Sequence, residues 1–107
     1  MKNKKQHYQK RVEEAQAQIW DAELSKEILL IFLEEMKKEW QKKDNLIKVE
    51  KEKEGKIDME MIKEEIAKNA DLEAKIKDGE KKLENVMAEL EARKKTKEAM
   101  EEVIKKL

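Results

Sequence analysis

Few side chains in this chain can do acid–base or nucleophilic chemistry, and they are poorly placed to do it together. There is one histidine, His7, one serine, Ser25, one threonine, Thr96, and no cysteine. A Ser-His-acid site needs hydroxyl, imidazole and carboxylate within mutual hydrogen-bond reach. His7 and Ser25 lie about five turns apart on what reads as a single helix. A carboxylate metal centre in a helical bundle would show Glu-x-x-His pairs aimed inward, and the chain has none. Glu34-Glu35 and Glu64-Glu65 read as solvated faces. With two glycines in all, there is no glycine-rich loop to cradle a phosphate. The expectation is a protein that is not an enzyme, with no cofactor, no metal and no small-molecule substrate.

One cluster could carry binding chemistry. Lys2, Lys4, Lys5, Lys10 and Arg11 gather around Tyr8, and in a hairpin Lys105 and Lys106 would lie at the same end. A basic end of this kind can hold nucleic acid or another acidic polymer through salt-sensitive contacts. The chain as a whole argues the other way, because 26 basic residues are balanced by 26 acidic ones. Net charge supplies no drive toward polyanions or membranes. Solvated lysines are the plainer reading, and polyanion binding is kept as the alternative function.

The elements behind these residues are helical. Charged residues make up 49% of the chain, and Pro is absent. Glu, Lys, Ala, Leu and Met dominate, as in long helices and coiled coils. One stripe alternates steps of four and three: Tyr8, Val12, Ala15, Ile19, Ala22, Lys26, Leu29, Leu33, Met36, Trp40, Lys43, Ile47. That spacing is the seam of a coiled coil. A second runs Ile62, Glu65, Asn69, Leu72, Ile76, Gly79, Leu83, Val86, Leu90, Arg93, Lys97, Met100, Ile104, Leu107. Between them Gly55 reads as a helix stop and Asp58 as an N-cap. Ile57 and Ile62 have the spacing of a hydrophobic staple.

These signals predict an all-α fold: two long helices in an antiparallel coiled-coil hairpin. The segments are a frayed basic start over 1–7, a first helix over 8–54, a turn at 55–57 and a second helix over 58–107. If Tyr8 faces Ile104, facing residue numbers add to 112, and the midpoint falls in the turn. The alignment sets Leu33 against Gly79, where a missing side chain makes room. It also puts Lys43 opposite Asn69 and Ile47 opposite Glu65. Glu-to-Lys pairs four apart, such as Glu34–Lys38, Glu64–Lys68, Glu73–Lys77 and Glu101–Lys105, should each add about 0.2–0.5 kcal/mol.

The hairpin leaves one feature over. Ile28-Leu29-Leu30-Ile31-Phe32-Leu33 is an unbroken apolar run, and at about 100° per residue it covers every side of a helix. A helix apolar all round must be buried on more than one side. Leu29 and Leu33 belong to the seam. Trp20, Leu24, Ile28, Ile31 and Phe32 form a second face that a hairpin cannot bury, and such a patch marks an interaction site. The expected partner is a second copy, giving a four-helix bundle, or else another helical protein. The expected role is a scaffold or assembly subunit. The apolar period runs to Leu107, which suggests a segment of a longer coiled coil or a purpose-built bundle. No signal peptide is visible, and the apolar run falls far short of the roughly 20 residues that span a bilayer. The sequence therefore reads as soluble and intracellular, cytoplasmic or nuclear.

Overall fold

The computed structural model describes residues 3–107. Two α-helices carry nearly all of them: α1, Lys4–Lys51, and α2, Met59–Lys106. There is no strand among the described residues. Both helices are long because strong helix formers fill them and nothing breaks them. The fold is an all-α helical hairpin.

The first helix starts earlier than the sequence suggested. Residues 1–7 are expected to fray because lysines oppose the dipole at a helix N-terminus, yet Lys4–His7 are already helical; residues 1 and 2 lie outside the described residues. Asn3 supplies the missing cap: its side-chain oxygen accepts from the Lys5 backbone N–H at 3.1 Å, and its carbonyl accepts from His7 N at 3.2 Å. A side-chain cap of this type is worth about 1 kcal/mol, enough to offset a dipole penalty of about 0.3–1 kcal/mol per exposed lysine. Helix α1 also stops sooner, at Lys51 rather than 54. Glu52 and Lys53 bond back to the carbonyls of Lys48 and Glu50. Gly55 then turns the chain with φ of +102°, a conformation that costs a side chain bearing Cβ.

Helix α2 is capped by Asp58, whose Oδ1 accepts from Met61 N at 3.0 Å and whose carbonyl accepts from Ile62 N. The Asp58 N–H donates to Glu50 Oε1 at 2.9 Å. Glu50 stands one step beyond Ile47 along the first stripe, so the seam ends in a carboxylate that ties the turn. Ile57 is half-buried and Ile62 buried.

The hairpin divides into two compact units. One joins α1 through Ile28 to Leu83–Leu107. Its core is Ile19 and Leu90, at 3% and 6% exposure. Here Arg93 donates to Gln18 Oε1 at 2.6 Å and to Glu89. Lys97 donates to Gln16, and Lys94 pairs with Glu23 at 3.6 Å. The cationic stems of Arg93 and Lys97 lie along the seam while their heads reach outward.

The other unit, Leu29–Lys82, is organised around Leu33, Ile47 and Ile62, all buried. Gly79 lies against Leu33: a Cβ built on it would sit 2.8 Å from Leu33 Cδ2. Lys37 pairs with Glu80 at 3.3 Å. Below that layer the seam turns polar. Lys43 Nζ donates to Glu65 Oε2 at 3.2 Å, and Asn69 Nδ2 donates to the Trp40 carbonyl at 3.2 Å.

Every position of the two stripes is buried or half-buried except Leu107, which lies beyond α2 and is exposed. The charged surface pairs differently from the expectation. Glu34–Lys38 forms at 3.4 Å, but Lys68 turns to Glu65 and Lys105 to Glu102. Among the described residues no ion pair joins Glu73 to Lys77. Pairs on an open helix surface are near-degenerate, each worth about 0–1 kcal/mol, so sequence spacing does not select among them.

Candidate functional site

The side chains that could do acid–base or nucleophilic chemistry are not brought together. His7 stacks edge-on against Tyr8 with ring centroids 5.8 Å apart. Thr96 donates its hydroxyl to the Ala92 carbonyl at 3.0 Å, a bond internal to α2. Among the described residues no three His, Cys, Asp or Glu side chains converge as a metal site would need.

The basic cluster is exposed where it is described. Lys4, Lys5, Lys10 and Arg11 lie at the start of α1, in no ion pair among the described residues; Lys2 lies outside those residues. The neighbouring groove in the first unit is lined by Gln9, Val12, Glu13, Glu101, Ile104 and Lys105. Two carboxylates in that lining oppose a polyanion electrostatically.

The apolar face is where the molecule departs from an ordinary solvated surface. Trp20, Leu24 and Ile28, in the first unit, are 64%, 56% and 44% exposed. Ile31 and Phe32, in the second, are 58% and 57% exposed. Leu30 is exposed as well. All six stand on α1, which is unbroken from Lys4 to Lys51. Leu29 and Leu33, interleaved with them, turn inward, Leu33 to 4% exposure. The run is therefore split as the helical period requires, with Leu29 and Leu33 serving the seam and the other four members exposed.

Sequence reasoning overlooked other exposed apolar residues in the second unit: Leu46, Val49, Met59 and Ile66. Val49 and Met59 stand between charged residues, and Leu46 and Ile66 each have a single apolar neighbour, so they form no long apolar run in the sequence. In the first unit Met87 is 48% exposed.

A perturbed titration belongs to the polar seam. The Lys43 ammonium, hydrogen-bonded to Glu65, holds that carboxyl below its ordinary value of 4.5, against desolvation that pushes the other way. Asn69 is 7% exposed and its Oδ1 has no hydrogen-bond partner. Both features sit between packed helices, where they bear on stability and pairing.

Fold and site together define the class: an all-α two-helix hairpin with exposed apolar side chains along α1. No protein-family model, curated protein or solved structure matches the chain. No helix of the described residues is long and apolar enough to cross a membrane.

Proposed function

We propose that this protein is a non-enzymatic assembly element that associates with a second copy of itself through the outer face of α1. The observation that carries this reading is the exposure of Trp20, Leu24, Ile28, Ile31 and Phe32 along one helix. Aromatic side chains bury roughly 150–250 Å² each and the smaller Leu and Ile less, so the exposed parts of these five amount to about 500 Å² on one copy. A patch of this size lies at the top of the range for a monomer. Doubled across a two-fold, and with flanking polar atoms added, it reaches the roughly 1,200 Å² at which stable interfaces begin.

Composition supports the same reading. Equal numbers of acidic and basic residues leave no net repulsion between identical copies. The core within each unit is thin, with Ile19 and Leu90 in one and Leu33, Ile47 and Ile62 in the other. Covering the outer face adds the apolar burial that so small a core lacks. Two hairpins joined in this way make a four-helix assembly, suited to a scaffold or spacer inside the cell.

The test is mass against concentration by sedimentation equilibrium. The wild-type chain should shift from monomer to dimer as concentration rises, and Ile28→Glu or Ile31→Glu should hold it monomeric with its helix content intact. A wild-type chain that stays monomeric, or association that survives both substitutions, would overturn the reading.

A further inference from the structure

We infer that the second copy crosses α1 antiparallel, about a two-fold axis between Leu24 and Ile28, with the Trp20 ring of each copy packed on the partner's Phe32. This arrangement rests on the self-association proposed above and specifies its geometry.

Trp20, Leu24, Ile28 and Phe32 stand four residues apart, and α1 is continuous through all of them. Residues at i and i+4 form a ridge along a helix surface, inclined to its axis. All four members of this ridge are at least 44% exposed. The ridge reads aromatic, aliphatic, aliphatic, aromatic, and it reads the same from either end. Its centre is residue 26.

A two-fold axis perpendicular to the helices brings such a ridge against its own reversed copy. Leu24 then meets the partner's Ile28, and Trp20 meets the partner's Phe32. Aliphatic pairs with aliphatic at the centre and aromatic with aromatic at both ends, an offset or edge-to-face contact that aromatic rings favour. A parallel copy would instead set Glu27 against the partner's Glu27 and Glu35 against the partner's Glu35. Like charges facing at short range repel.

The crossing angle follows from the ridge as well. When i±4 ridges of two helices interlock, the axes cross near −50° with a separation of about 8–10 Å. The grooves needed for this lie beside the ridge. Ser25, a small side chain next to Leu24, leaves one of them open, and Ile31 gives the other an apolar wall. A steep crossing also moves the flanking charges apart within about two turns, so Lys10, Glu13, Glu39 and Lys42 do not determine pairing. Two hairpins associated in this way form a crossed pair, not a bundle of near-parallel helices.

The chain has no cysteine, which makes the geometry directly testable. Leu24→Cys and Ile28→Cys copies, distinguished by mass, are mixed and oxidised, and each is also oxidised alone. The antiparallel crossing predicts that the mixed disulfide forms several times faster than either homotypic one, because a disulfide needs Cα atoms within about 7 Å. A second measurement uses the ends of the ridge. Trp20→Ala and Phe32→Ala should each raise the dimer dissociation constant about tenfold or more. Combined, they should cost clearly less than the product of the two, because both delete the same contact. Faster homotypic than mixed cross-linking, or independent effects of the two aromatics, would overturn the arrangement while a dimer that Ile28→Glu dissolves still stands. A wild-type chain without self-association would overturn the arrangement together with the function it rests on.

Discussion

Substituting Gly79 by Ala tests how tightly the second unit is packed. In the middle of a helix this exchange ordinarily stabilises, by about 1 kcal/mol, because Ala is the better helix former. Here the added Cβ would lie 2.8 Å from Leu33 Cδ2, 3.5 Å from Leu33 Cγ and 3.8 Å from Met36 Cε. Leu33 is 4% exposed, so it has no open side toward which to swing. Overpacking of a buried site costs about 1–3 kcal/mol, which outweighs the propensity gain. The net expectation is a loss of about 1 kcal/mol. Leu33→Ala alone should cost about 2–5 kcal/mol as a cavity opens. In the Gly79→Ala background it should cost about 1–2 kcal/mol less, since the new methyl fills part of that cavity. The assay is urea unfolding followed by circular dichroism, at one low protein concentration so that association does not enter. A stability gain near 1 kcal/mol for Gly79→Ala, or additivity of the two substitutions, would refute the packing of Leu33 into Gly79.

Three further outcomes follow from named features. Gly55→Ala meets no neighbouring atom within 4 Å, yet φ of +102° should make it cost about 1–2 kcal/mol; thermal melts of Gly55→Ala and Gly55→Asn check this, and Asn should be the milder. Asn69→Leu removes a buried oxygen without a partner and adds apolar burial, so its melting temperature should rise, by an amount corresponding to about 1 kcal/mol or more; a fall would show that the bond to the Trp40 carbonyl outweighs the unsatisfied oxygen. Glu65 titrates below its ordinary value of 4.5 because of its hydrogen bond to Lys43. A lowered folded-state value stabilises fully above the ordinary one and is lost as pH falls through the folded one. Stability should therefore decline more steeply below about pH 4.5 in the wild type than in Glu65→Gln, as urea midpoints measured across that range would show.

Much of the fold was legible because heptad patterning states it twice, once on each helix. The stripe from Tyr8 to Ile47 and its counterpart from Ile62 to Ile104 are the positions that lose exposure, and the alignment of Leu33 with Gly79 followed from their spacing. Helix ends were less legible. Asn3 caps α1 with a side-chain oxygen, and the lysines beside it drew attention to charge instead. Glu50 ties the turn from a seam position where periodicity asks only whether a residue is apolar. Surface ion pairs were the least legible, since Lys68 can choose Glu64 or Glu65 at almost no difference in energy. The outer face was legible only where its residues run together: Ile28, Ile31 and Phe32 stand in an apolar run, whereas Leu46, Val49 and Ile66 are scattered among charges.

The central claim, that α1 carries a face meant for a second copy, is tested most directly by solution mass across a wide concentration range. The wild-type weight-average mass should rise from 12.8 kDa toward twice that value, and Ile28→Glu should stay at the monomer mass at every concentration. A folded wild-type chain that remains at 12.8 kDa throughout would contradict it.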